Sequence, residues 1–100
     1  MGITEIDDYE VMYSANKYPP RIWLKNKGKY IGQLIFKPKG AVLPPDKVNP
    51  GDDWLYYHLD DFQNVLDLLR NEMPVFLSVG GAGAENGIRT NEEPVGEGER

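Results

Sequence analysis

The segment from Arg21 to Lys37, RIWLKNKGKYIGQLIFK, alternates apolar and polar side chains on both sides of a central Lys-Gly pair. Alternation has the period of a half-buried strand, and glycine between two such runs is typical of a hairpin turn. We predict a β-hairpin with a type I turn over residues 25–28, in which Gly28 takes the left-handed conformation of a bulge. The segment therefore predicts a fold built on an antiparallel sheet.

This register divides the hairpin into two faces. One face is apolar and holds Ile22, Leu24, Tyr30, Gly32, Leu34 and Phe36. The opposite face is basic and carries an indole, and with the turn it supplies the candidate binding residues Arg21, Trp23, Lys25, Lys27, Lys29, Ile31, Gln33 and Lys37, beside Ile35. A two-residue turn at 27–28 is the alternative, and it would slip the register by one and place Trp23 beside Gly32 and Leu34, because the side-chain period is two.

Other segments with strand-like patterns are 9–16, 54–59, 74–79 and 88–90. In 54–59 the side chains of Leu55, Tyr57 and Leu59 should face opposite to those of Trp54, Tyr56 and His58. Asn86-Gly87 favours a type I′ turn into the last strand.

The clearest helix lies at about 61–72. Asp60 and Gln63 have the spacing of a capping box ahead of it. Its apolar residues recur at helical spacing and predict the face that packs on the sheet: Phe62, Val65, Leu66 and Leu69.

Two segments lack a regular pattern. Residues 38–53, PKGAVLPPDKVNPGDD, predict a long loop. Such a loop is either functional or mobile, or it is wrapped on the domain through Val42, Leu43 and Val48. Residues 92–100 predict a solvated acidic tail. The chain is thus predicted to form one α+β domain over residues 1–91, an antiparallel sheet of about four to six strands with one helix on one face.

The predicted order of four strands followed by a helix is similar to that of the transcriptional-coactivator and Whirly group of single-strand-binding proteins. The resemblance is one of topology, and it implies no binding site.

Positive charge is concentrated in one part of the chain. Residues 17–47 hold eight of the eleven Lys and Arg residues and a single acid, Asp46, so they carry +7 while the remainder carries −12. Two interpretations are open: the lysines keep a strand edge soluble, or they attract an acidic partner.

Several functional classes are disfavoured. The chain has no cysteine and one histidine, His58, which we interpret as a hydrogen-bonded packing residue in a strand rather than a catalytic one. We expect no catalytic residue, no metal and no cofactor. Gly80–Gly87 is followed by no helix, so we interpret this glycine-rich run as a flexible hairpin connection rather than a phosphate-binding loop.

The absence of cysteine and of a signal-like start in MGITEIDDYE favours the cytoplasm, and the apolar runs are too short to span a bilayer.

The basic aromatic face is then the main functional signal. Trp and Arg are typical anchors of protein interfaces, so a protein-interaction module or homodimer is our first interpretation. Aromatic rings among Lys and Arg also suit single-stranded nucleic acid, which is the second, although a sequence pI of about 4.7 is low for that class. An enzyme is a distant third.

Overall fold

The computed structural model describes residues 2–91, so the predicted acidic tail and the domain boundary before it lie outside the described residues. The described part contains seven strands, β1 Gly2–Ile6, β2 Asp8–Met12, β3 Arg21–Asn26, β4 Lys29–Lys37, β5 Asp53–His58, β6 Val75–Val79 and β7 Gly87–Thr90, and one α-helix, α1 Phe62–Asn71, which follows a 3₁₀ turn at Leu59–Asp61. The α+β class is confirmed.

The strands form two sheets, of order β1-β6-β7 and β2-β3-β4-β5. Neighbouring strands are antiparallel except β4 and β5, which are parallel. The parallel pair arises because the long connection between these two strands carries the chain back along the sheet before β5 begins. Neither the division into two sheets nor the parallel pair was predicted, and β1 was missed altogether.

Asp7 joins the two sheets. It separates β1 from β2, and its backbone N–H donates to the carbonyl of Lys25 at 3.0 Å. Its carboxylate accepts the backbone N–H of Lys27 at 2.9 and 3.1 Å, and the Asn26 side chain donates to the carbonyl of Glu5 at 2.9 Å. The β3–β4 hairpin is therefore held at its turn by the point where the chain passes between sheets.

The hairpin turn differs from the predicted type I turn. Asn26 pairs with Lys29, and Lys27 and Gly28 both have positive φ, 54° and 77°, which identifies a two-residue type I′ turn. This is the alternative turn, yet the expected slip does not follow. A bulge opposite Leu24 and Lys25 of β3 leaves one residue of β4, Ile31, without a partner, and the extra residue restores the predicted faces from Gly32 onwards. Tyr30, which we predicted on the apolar face, pairs with Lys25 and so lies on the opposite side of the sheet.

The core lies beneath the predicted apolar face. Fully buried side chains there are Phe36, Ile22, Leu24, Leu34 and Leu55. The helix packs against this cluster with the predicted residues Phe62, Val65, Leu66 and Leu69, so its face is confirmed. The capping box is wrong. Neither the 3₁₀ turn nor α1 has a side-chain cap, because the 3₁₀ turn precedes the α-helix, and Gln63 instead donates to Asp67 at 2.9 Å.

The loop at 38–52 is wrapped on the domain by polar contacts. Lys47 and Trp54 exchange two backbone hydrogen bonds, at 2.9 and 2.7 Å, and Tyr56 N–H donates to Asp46 at 3.1 Å. His58 Nε2–H donates to the carbonyl of Ala41 at 2.8 Å. Val42, which we expected to help pin the loop, is 92% exposed. Hydrogen bonds to β5 therefore hold the loop, without an anchor at Val42.

The glycine-rich run connects β6 to β7, as predicted, but without a type I′ turn. Asn86 and Gly87 do not have positive φ, and the connection spans residues 80–86. The Asn86 side chain accepts the Gly80 N–H at 2.8 Å and donates to Gly81 and Asp46 at 3.1 Å. It thereby ties the three-stranded sheet to the loop that covers β5.

Candidate interaction surface

The four-stranded sheet turns one face to the core and the other outward. Strand register places the outward residues in two rows that run across β2, β3, β4 and β5. We call these eight residues the outer face: Glu10, Trp23, Gln33 and Trp54 in one row, and Met12, Arg21, Ile35 and Tyr56 in the other. Ile35 is 7% exposed and belongs to no core cluster, so its neighbours on this face cover it.

Arg21 and Trp23 form a stacked pair at the centre of the outer face. The guanidinium carbon lies 5.6 Å from the centre of the Trp23 ring, within the range of a cation–π interaction. Arg21 Nε is buried and has no hydrogen-bond partner within residues 2–91. Both side chains are half-buried. They lie side by side because they are successive outward residues of one strand, and their contact orients both.

The second tryptophan of the row is held more firmly. Lys47 Nζ lies 4.3 Å from the centre of the Trp54 ring. Trp54 Nε1–H and the Tyr30 hydroxyl both donate to Oδ1 of Asp52, each at 2.8 Å. The hydrogen bonds from Tyr30 and Trp54, with a smaller contribution from Lys47, lower the pKa of Asp52. Burial, and then the same carboxylate, raises the pKa of Tyr30.

Acids from other segments offset the basic block at this surface. Glu10 forms an ion pair with Lys25 at 2.9 Å, and its hydrogen bond raises the pKa of Lys25. Asp8 is the register partner of Lys25, and Asp52 lies beside Trp54. The charge of +7 in residues 17–47 is thus spread beside carboxylates, and the outer face is mixed in charge rather than basic.

The structure brings together four of the eight predicted binding residues. Arg21, Trp23 and Gln33 lie on the outer face, and Lys25 lies at its rim through its contact with Glu10. The other four are Lys27 and Lys29, exposed at the turn, Ile31, and Lys37, which lines a groove at the far end of β4. We predicted Ile31 on the basic face, but at the bulge it packs against the core cluster instead.

The contribution of β5 to this surface was not predicted from the sequence. We predicted correctly that Trp54 and Tyr56 face opposite to Leu55, but we did not predict which strand they lie beside. Parallel pairing sets Trp54 beside Gln33 and Tyr56 beside Ile35. The sequence feature that could have indicated it is the pair of aromatic residues on the outward side of one strand, which is typical of an interface.

The side chains of the outer face suit the recognition of a partner by surface contact. Half-buried tryptophans, an arginine and a central glutamine can bury apolar area and make directional hydrogen bonds. Across residues 2–91, no three His, Asp or Glu side chains cluster closely enough to hold a metal ion. No helix in the same range is long and apolar enough to cross a membrane.

Comparisons with protein-family models, with curated proteins and with solved structures gave no match to this chain.

Proposed function

We propose that this chain is a cytoplasmic, non-enzymatic protein-interaction module that binds through the outer face, with a second copy of the chain as the first partner to test. The observation that carries the proposal is the Trp23–Arg21 stack at the centre of a face that also holds Trp54.

The composition of the outer face supports a protein partner. Tryptophan, tyrosine, arginine and methionine are enriched at the centres of protein interfaces, and the face contains each of them. The ion pair of Lys25 with Glu10 lies at the rim, where Glu10 is 60% exposed. An ion pair at the rim of an interface stays solvated, so binding carries little desolvation cost there. The central aromatic residues contribute binding free energy because a partner removes them from water.

A single-stranded nucleic acid is the second candidate, and the observation that favours it is the pairing of each outward tryptophan with a cation. One feature counts against it: carboxylates lie within the surface, Glu10 beside Lys25 and Asp52 beside Trp54. We therefore rank protein interaction first.

Sedimentation over a range of protein concentrations tests self-association. We expect the mean mass of the wild type to rise towards that of a dimer and Trp23→Ala to remain a monomer, because the substitution removes the central anchor. Met73→Ala is the matched control, since Met73 is 88% exposed but lies outside the outer face. Circular dichroism shows whether each variant is folded. Equal masses of wild type and Trp23→Ala would contradict self-association through this face.

Tryptophan fluorescence during titration with single-stranded oligonucleotide tests the second candidate. If about three phosphates are neutralised, the logarithm of affinity should fall with the logarithm of salt concentration at a slope of about −2. Trp23→Ala should then remove about 1–3 kcal/mol per stacked base. Unchanged fluorescence at low salt would exclude nucleic-acid binding through Trp23 and leave the protein partner.

A further inference from the structure

A groove of about 530 Å³ lies at the end of β4, outside the surface described above. Its walls include Tyr13, Tyr18 and Pro19, its apolar floor includes Phe36 and Leu59, and Lys17 and Lys37 also line it. We call it the end groove. Its volume lies within the range of ordinary ligand sites, and its lining of aromatic and proline residues with a few polar groups is typical of them.

The end groove is built on the packed part of the fold. Phe36 is fully buried, and its ring lies 4.9 Å from that of Phe62, edge to face. The Tyr13 ring lies edge to face against Phe62 at 5.4 Å. The backbone of Phe36 donates to the carbonyl of Pro20 at 3.0 Å, so the segment that carries the tyrosines is fastened to β4.

The walls of the end groove are nevertheless exposed to solvent. Tyr13 is 61% exposed and Tyr18 is 58% exposed, although both are large aromatic residues. Tyrosine gives a large contact area at a low entropic cost, and a groove between aromatic and proline side chains suits an extended chain.

Charge indicates what kind of chain would fit. Every ionisable group that lines the end groove other than tyrosine is a lysine, Lys17 or Lys37. Within residues 2–91 neither groove lysine forms an ion pair, unlike Lys25, which pairs with Glu10, and Lys39, which pairs with Asp60. The protein as a whole carries −5. Two cations that have no ion-pair partner among the described residues, at an apolar groove of an acidic protein, favour a ligand that carries carboxylates beside an apolar residue.

We propose that the end groove binds an acidic peptide segment of a partner protein, which places a proline or aliphatic side chain between Tyr13 and Tyr18 and its carboxylates near Lys17 and Lys37. This site is separate from the outer face and does not depend on its function.

Titration of the ¹⁵N-labelled chain of residues 1–100, followed by amide chemical shifts, tests the site. The probe is an acetylated and amidated peptide, Glu-Glu-Pro-Val-Gly, with Gln-Gln-Pro-Val-Gly as its neutral match. We expect shifts confined to the amides of residues 13–18, 36, 37 and 59. The neutral peptide should bind about three- to tenfold more weakly, because two exposed ion pairs are lost. Equal binding of the two peptides, or shifts elsewhere on the protein, would overturn the proposal.

Variants of the chain locate the contacts. Lys17→Gln and Lys37→Gln should each weaken the acidic peptide and leave the neutral one unaffected, while Lys29→Gln at the hairpin turn should change neither. Tyr18→Ala should weaken both peptides. Trp23→Ala should leave peptide binding intact. The proposal for the end groove can therefore be tested separately from the proposed function of the outer face.

The chain's own sequence contains Glu92-Glu93-Pro94-Val95, which has the same chemistry as the probe. The double variant Glu92→Gln, Glu93→Gln tests whether this segment is the occupant. Unchanged affinity for the probe supports a partner peptide. If the probe binds only to the double variant, the occupant is the chain's own segment and the partner proposal is overturned.

Discussion

Gly32 of β4 lies against Asp53 of β5 so closely that a Cβ atom on Gly32 would be 2.6 Å from the Asp53 carbonyl oxygen. Such a contact is shorter than van der Waals distance, and the opposing atom is backbone in a paired strand, so it has little freedom to move. The absence of a side chain at residue 32 is therefore what allows the parallel pair to close at its first residues.

Gly32→Ala should lower the free energy of unfolding by about 1–3 kcal/mol, because β5 must move away from β4 to admit the methyl group. Urea denaturation measures the loss. Gln33→Ala, at the adjacent half-exposed position of the same strand, is the control and should change stability far less. A Gly32→Ala protein as stable as the wild type would contradict the close approach.

Lys27→Asn should stabilise the protein by about 0.5–1 kcal/mol. Lys27 has a φ of 54°, a conformation that costs most L residues energy and that asparagine tolerates better at this position of a type I′ turn. The contact of its backbone N–H with the Asp7 carboxylate is kept. Thermal unfolding is the measurement, and Lys29→Asn, which lies after the turn, should give no such gain.

Leu66→Ala should destabilise the protein by about 2 kcal/mol. Leu66 packs against the core cluster but is only partly buried, so the cost falls near the lower end of the range for large-to-small core changes. Asn64→Ala, on the exposed side of the same helix, is the control. A loss below about 0.5 kcal/mol in chemical denaturation would show that the helix contributes less packing than the structure indicates.

Asp52 and Asp53 should respond to pH in opposite ways. The pKa of Asp52 is lowered by hydrogen bonds from Tyr30 and Trp54, so its contribution to stability is present above the ordinary value of 3.8 and is lost as pH falls through the lowered pKa. Burial raises the pKa of Asp53, so its charged form destabilises the fold at neutral pH, and that cost disappears as pH falls through the raised pKa.

The measurement is the free energy of unfolding from pH 7 to acid. Asp52→Asn should be less stable than the wild type at pH 7, with the difference shrinking on acidification. Asp53→Asn should be more stable at pH 7, since its amide oxygen can still accept the Asn49 N–H, and this difference should also shrink in acid. Two variants that shift stability at pH 7 in the same direction would show that the environments of the two carboxyls are not opposed.

The parts of the fold that were predicted correctly are those whose burial follows a local period. The inward residues of β3, β4 and β5 and the packing face of α1 recur every two residues or at helical spacing, because a strand or helix must turn one side to the core. Strand β1 was missed because four of its five residues are exposed and backbone pairing with β6 holds it, which leaves no pattern in the side chains.

The candidate surface depended on contacts between residues far apart in the chain. Trp23 and its neighbours on β3 follow from alternation, but Trp54 joins them only because β5 runs parallel to β4. Glu10 and Asp52 reach the basic segment from two other parts of the chain and turn a block of positive charge into a mixed surface. Alternation along one strand determines which side of the sheet each residue faces. Strand order, strand direction and bulges depend instead on pairing between distant segments, which is decided only when the whole chain folds.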